Sequence, residues 1–147
     1  MTSLFKDTLL IVMTVGSFMN LAKPTSPNLV EPCNSSPNCV SSRDTRESFM
    51  IAPLSGDPSP TEKFQRLFEL TRNLKRSHVE SKTETSFHIT IKSKIFGFVD
   101  DIFVEIDIKE KLIHMRSSSR SGYYDFGVNR KRLLSLISQL RSQLGEQ

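Results

Sequence analysis

Apolar positions change their spacing several times along this chain, and each change predicts a different element. Thr8 to Met19 reads TLLIVMTVGSFM, an apolar run without a charge. From Lys23 to Pro60 no period is sustained and all seven prolines fall in this stretch, which predicts an extended arm or linker. Phe64, Leu67, Phe68, Thr71 and Leu74 then recur at helical spacing and form one apolar stripe. Ser59-Pro60-Thr61-Glu62 precedes them, with serine at the N-cap, proline at the first helical position and glutamate at the third, the pattern of a capping box. Beyond Arg76 the period falls to two. Phe87, Ile89 and Ile91 alternate with His88, Thr90 and Lys92; Ile102, Val104, Ile106 and Ile108 with Phe103, Glu105 and Asp107; Ile113, Met115 and Ser117 with His114 and Arg116. These read as half-buried antiparallel strands with one wet face, preceded by a weaker strand from His78 to Lys82. Leu133, Leu136, Ile137, Leu140 and Leu144 restore helical spacing in a helix from about Val128 that Gly145 ends.

The order helix, strands, helix predicts a two-layer α+β domain. Its antiparallel sheet has three or four strands, with both amphipathic helices on one face. The alternation also sets a register. Apolar faces match if Ile106 lies opposite Ile113, Val104 opposite Met115 and Ile102 opposite Ser117, with a tight turn at Lys109-Glu110. On the other face this puts Glu105 opposite His114, Phe103 opposite Arg116 and Asp101 beside Ser118. A slip of one residue would oppose Ile106 to His114, which burial forbids.

Length and composition fill in the frame. With 147 residues, 37% apolar and 24% charged, the chain has room for one ordinary globular domain. Residues 1–22 are read as a signal peptide or N-terminal membrane anchor, 23–58 as a Pro/Ser-rich arm and 59–145 as the α+β domain. The apolar run at 8–19 is shorter than the roughly 20 residues that span a bilayer and suits a signal-peptide core; an ordinary buried helix is the competing reading. Export or membrane attachment at the cell envelope is thus expected, with a cytoplasmic protein as the alternative. The net charge of +4 is mild. With no Trp and no aromatic ladder interleaved with arginine, the composition disfavours nucleic acid as a partner.

Candidate chemistry concentrates between Arg116 and Arg132, where four arginines and a lysine accompany one aspartate across a strand-to-helix passage. Cations are unfavourable at a helix N-terminus, yet Arg130, Lys131 and Arg132 occupy its first turn. The compensating anion could be external, a phosphate, sulfate or carboxylate on the helix N-terminus. It could equally be internal, with Asp125 capping the turn and Asp100-Asp101 pairing the arginines. Asp100, Asp101, Arg116, Arg120, Asp125, Asn129, Arg130 and Arg132 are therefore the candidate residues of either an anion site or a structural network. Asp100-Asp101 as an acid/base or metal pair lacks a supporting His, Asp or Glu cluster, so no metal or cofactor is expected. Cys33 and Cys39 are two ligands short of a zinc site and are not spaced as a redox pair. A disulfide closing a small loop is the leading reading in an exported chain, beside a free thiol pair or a reactive Cys39. Gly-x-Ser-x-Gly, phosphate-loop and dinucleotide patterns are absent from the sequence.

Three segments together resemble the domain-of-unknown-function 1499 family: Pro32-Cys33-Asn34-Ser35-Ser36-Pro37-Asn38-Cys39-Val40-Ser41-Ser42, Phe96-Gly97-Phe98-Val99-Asp100-Asp101, and Arg116 through Arg130 with Arg132 two places on. The resemblance runs from about Pro32 to Leu140 and departs at Tyr124, where the family carries a small hydroxyl residue. It implies a small α+β domain, often in exported or membrane-attached bacterial proteins, and no established activity. The expectation is a non-enzymatic binding or interaction module, with an anionic small molecule, a lipid headgroup or an envelope protein as partner. A purely structural envelope protein is one alternative. The other is an enzyme using Asp100, Asp101, Arg116, Arg120 and Tyr123, or Cys39, for hydrolytic or thiol chemistry.

Overall fold

The computed structural model describes residues 29–94 and 96–146; the expected signal peptide or anchor lies outside them. The apolar stripe starting at Phe64 forms α1 (Pro60–Arg72), after two short strands, β1 (Cys39–Ser41) and β2 (Leu54–Ser55). The alternating segments form β3 (Ser77–Lys82), β4 (Ser86–Lys92), β5 (Val99–Asp107) and β6 (Leu112–Ser119), and the last stripe forms α2 (Val128–Leu144). All strand pairings are antiparallel. The sheet order is β1-β6-β5-β4-β3, with β2 also paired to β6.

The register expected from the apolar alternation is the one observed. Ile106 pairs with Ile113, Val104 with Met115, Ile102 with Ser117, Glu105 with His114, Phe103 with Arg116 and Asp101 with Ser118. One face of β4, β5 and β6 then carries Phe87, Ile89, Ile91, Ile102, Val104, Ile106, Ile113 and Met115. These pack with Phe64, Leu67 and Phe68 of α1 and Leu133, Leu136, Ile137 and Leu140 of α2 in one core. Both helices therefore lie on one face, and Phe87 centres the contact, its ring 5.5 Å from Phe64 and 5.3 Å from Phe68.

Two expectations are corrected. Among the described residues the sheet has six strands, not three or four, because the Pro/Ser-rich arm adds β1 and β2 to the free edge of β6. Strands of three and two residues are too short to show a period. The capping box does not form: Ser59 holds the N-cap of α1 but its side chain makes no cap hydrogen bond. Glu62 instead accepts from Arg66 one turn on, at 2.8 Å. Gly145 ends α2 in the left-handed conformation (φ 67°), its N–H donating toward Ser142 O.

The face assignment has a measurable consequence. Phe87→Ala is expected to lower the unfolding free energy by about 3–5 kcal/mol, read from urea denaturation. Val79→Ala, on the exposed edge strand β3, is expected to stay within about 0.5 kcal/mol of the parent.

Candidate functional site

The period-two alternation that builds the core also sorts the polar residues at the end of β6. Ser117 and Ser119 point to the helix side with Asp100. Arg116, Ser118 and Arg120 share the opposite face with Asp101. Asp100 and Asp101 are neighbours in sequence but lie on opposite faces of β5, so they cannot converge on one substrate or metal. The paired-carboxylate reading is corrected on that ground.

On the helix side the groups neutralise one another. Asn129, in the first turn of α2, is buried. Its Oδ1 accepts from Ser117 Oγ and from Arg132 Nη1 at 2.8 Å. Its Nδ2 lies 2.8 Å from Asp125 Oδ2, 3.0 Å from Ser119 Oγ and 3.1 Å from the Asn38 carbonyl. Arg132 Nη2 donates to Asp100 Oδ2 at 2.6 Å, and Ser119 Oγ donates to Asp100 Oδ1 at the same distance. Asp125 accepts from the backbone N–H groups of Gly127 and Asn129, each at 2.9 Å, so an internal carboxylate occupies the positive end of α2. Arg130 donates to the carbonyls of Met50 at 2.7 Å and Ser48 at 2.8 Å. Two of the three cations that made this first turn look self-repelling, Arg130 and Arg132, are thereby accounted for.

The opposite face is organised differently. Asp101 receives a forked pair of bonds from Arg120 Nε and Nη2, each 2.9 Å, and faces His88 Nε2 at 2.7 Å. Burial opposes its ionisation, but the bonds from Arg120 and His88 outweigh burial and hold the carboxyl below its ordinary range. The bond to Asp101 raises the Arg120 guanidinium in turn. His88 stacks on Phe103 with ring centroids 4.2 Å apart, and the Arg116 guanidinium lies 5.7 Å from the same ring. Arg116 is the exception among these charges. Among the described residues it has no ion pair, and its buried Nε has no hydrogen-bond partner. Burial lowers its pKa, against the weaker fields of Glu31 and Asp101.

Arg116 and Arg120 line a cleft of about 220 Å³ together with Asn34, Ser36, Asn38, Cys39, Ser118, Ser119, Ser121 and Gly122. Among the described residues that line it there is no carboxylate. Its far wall is the loop closed by the Cys33–Cys39 disulfide, so Cys39 is not a free thiol and the reactive-cysteine reading is corrected. Sequence reasoning missed what holds that loop. Asp44 accepts from Cys33 N at 2.9 Å and from Arg46 Nη2 at 2.6 Å, while Arg46 donates to the Cys33 carbonyl at 2.6 Å. The arginine bond overcomes burial and pushes the Asp44 carboxyl far down. Asn38 Nδ2 donates to the Gly122 carbonyl, tying the loop to the β6–α2 connection. Glu105 was also missed. It bonds Arg43 at 2.8 Å and Leu29 N at 2.7 Å, while His114 turns to Ser42 at 3.2 Å. The local signal for Asp44 was the Asp-Thr-Arg turn; the partners of Glu105 lie too far off in sequence to leave one.

Tyr123 is exposed in the β6–α2 connection. Among the described residues no cluster of His, Cys, Asp or Glu could hold a metal, and no helix is long and apolar enough to cross a membrane. The model of the family described as "Protein of unknown function (DUF1499)" matches residues 29–140. No curated protein and no solved structure matches the chain.

The two faces are expected to respond differently to substitution. Arg132→Met leaves the Asp100 carboxylate buried without its cation and is expected to cost about 3–5 kcal/mol in urea denaturation. Arg120→Met removes a half-exposed partner and is expected to cost under about 1 kcal/mol. Asp101→Asn tests the pH dependence. The folded Asp101 pKa is depressed, so its contribution is present above the unfolded carboxylate value near about 4 and is lost as pH falls through the folded value. The stability gap between parent and Asp101→Asn, measured at pH 7 and near pH 3, is expected to narrow at the lower pH.

Proposed function

The chain belongs to the DUF1499 family, and we propose that it is a non-enzymatic binding module that takes a small anionic group, phosphate or carboxylate, in the cleft between the disulfide loop and β6. One observation carries this reading: Arg116 combines a buried, partnerless Nε with a place in a cleft whose lining includes Arg120 and several hydroxyl and amide side chains but no carboxylate. Leaving a buried polar group unsatisfied costs about 1–3 kcal/mol, and more for a charged one. A fold needing only an apolar or neutral polar residue at this position would avoid that cost. An anion in the cleft offsets the cost of burying the guanidinium charge, since guanidinium groups pair with phosphate or carboxylate oxygens through short charge-assisted bonds. The cleft has room for one such group with part of its carrier, given a liquid-water volume of about 30 Å³ per molecule. The Cys33–Cys39 disulfide supports an oxidising compartment, and with it an exported or membrane-anchored protein at the cell envelope.

A structural envelope protein is the second reading. It is favoured by the Arg120–Asp101 fork and by the self-satisfied network around Asn129. The two readings separate at Arg116. Titration calorimetry of the full chain with inorganic phosphate, glycerol phosphate and citrate is expected to give saturable binding of at least one of them, at least tenfold weaker in Arg116→Gln, with the unliganded variant no less stable than the parent. Glycerol phosphate binding in preference to inorganic phosphate would mark a lipid headgroup as the source of the anion. No binding heat with any of the three, or a variant that loses stability while binding is unchanged, assigns Arg116 to the structure alone.

A further inference from the structure

Five aromatic side chains stand in solvent at one end of the sheet. The β4–β5 loop leaves beside the Lys92–Val99 pair, and the β6–α2 connection leaves beside the Asp100–Ser119 pair. Arg120 N donates to the Val99 carbonyl at 2.9 Å, joining the two segments. The first carries Phe96 and Phe98, stacked at 5.5 Å; the second carries Tyr123, Tyr124 and Phe126, the last two edge to face at 5.1 Å. Phe96, Tyr123 and Phe126 are 74%, 73% and 79% exposed. Exposed apolar side chains scattered singly need no explanation, as with Met50, Val79 and Leu134 elsewhere on the molecule. Five aromatics on two adjoining loops are another matter. Phe126 adds a second cost, because it holds left-handed backbone (φ 56°), which a glycine or asparagine would adopt with less strain.

Basic groups outnumber acidic ones around these loops. Lys92 and Lys94 flank the first loop, Lys75 and Arg76 precede the adjacent start of β3, and Lys131 lies in the first turn of α2. None of these has an acidic partner within 4 Å among the described residues. The acids at the same end are engaged: Asp100 by Arg132, Asp101 by Arg120, Asp125 by the α2 N-terminus, and Glu80 of the edge strand by the Thr90 hydroxyl and the field of Arg120. At the opposite end the charges are mixed, with Lys111 on Asp57 and Lys63 on Glu146.

We propose that this end docks on an anionic bilayer surface, with the Phe96–Phe98 and Tyr123–Phe126 loops entering the headgroup–acyl boundary and the unpaired lysines facing the lipid charge. Aromatic rings favour that boundary, and apolar burial adds to the attraction of basic groups for anionic lipid. The proposal commits to lipid rather than protein because the aromatics sit on two projecting loops with a basic surround, and not on a flat apolar face. It stands apart from the cleft at Arg116, and either can fail alone.

The chain has no tryptophan, so a single introduced one reports on its own loop. In the full-length protein, Phe126→Trp and Phe96→Trp are expected to show blue-shifted emission, quenched by brominated acyl chains, on adding vesicles of phosphatidylcholine with phosphatidylglycerol. Ile108→Trp, exposed at the far end of the sheet, is expected to show neither. Phe96→Ser with Phe126→Ser is expected to weaken co-sedimentation with those vesicles at least about tenfold, and Lys92→Glu with Lys94→Glu to do the same. Unshifted emission at positions 96 and 126, or an equal shift at 108, overturns the proposal. So does equal binding to vesicles of phosphatidylcholine alone. Vesicle binding that neither double variant weakens also overturns it, since another part of the chain is then the anchor.

Discussion

The join between the sheet and the last helix rests on one buried amide. Asn129 uses both ends of its side chain: the oxygen accepts from β6 and from Arg132, and the nitrogen faces Asp125, Ser119 and the Asn38 carbonyl. Four otherwise separate parts of the chain meet there, namely β6, the turn before α2, α2 itself and the disulfide loop. An apolar residue of similar size would leave the Ser117 hydroxyl without its acceptor and remove the closer of the two acceptors of Arg132 Nη1, at a cost of about 1–3 kcal/mol for each buried group left short, out of a margin of only about 5–15 kcal/mol. The Asp100–Arg132 ion pair is tolerable so far from bulk water because Asn129 and Ser119 complete the hydrogen bonding around it.

The strand period then decides how that dense charge is used. Because side chains alternate, the residues of β6 divide between a face closed by α2 and a face open to the cleft. The closed face meets Asp100 and becomes a self-neutralised network. The open face meets Asp101, whose carboxylate is taken up by Arg120 and His88. Arg116 is left beside Phe103 without a carboxylate of its own. One strand thus carries a structural half and a half with spare charge, and the same two adjacent aspartates serve both.

Much of this was legible in the sequence, and the reason is burial. Opposing apolar faces forbid a one-residue slip between β5 and β6 and the tight turn at Lys109-Glu110 sets the rest, so Phe103 against Arg116 and Asp101 against Ser118 followed from the sequence. The bounds of α2 were legible because Gly145 marks its end. What could not be read is whatever depends on pairing distant segments. β1 and β2 are too short to carry a period, and Arg43, Glu105, Asp44 and Asn38 find their partners through the course of the arm. The capping box shows the opposite error. Its residues are all present, but Glu62 has a guanidinium within reach one turn on, and that charge-assisted bond prevails over the backbone N–H. Opposite positions in a sheet likewise fixed which backbones were neighbours without fixing partners, as His114 and Glu105 show.

Folding alone accounts for the Asn129 network, because every group in it satisfies another. It does not account for a guanidinium nitrogen buried without an acceptor, nor for a phenylalanine held in left-handed backbone with its ring in water. Each lowers the stability of a domain whose margin is only about 5–15 kcal/mol, and each could be relieved by a single substitution at no cost to the core. Both lie at the end of the sheet where β4, β5, β6 and the disulfide loop meet, while the committed acids there leave a surplus of positive charge. Arg43 Nε is also buried without a partner and Lys111 also holds left-handed backbone, but Arg43 pairs with Glu105 and Lys111 is a polar residue in the β5–β6 turn, so the features at this end are the ones that neither a polar turn residue nor an ion pair explains. The counterpart proposed for this end of the sheet is negatively charged, and part of it is apolar.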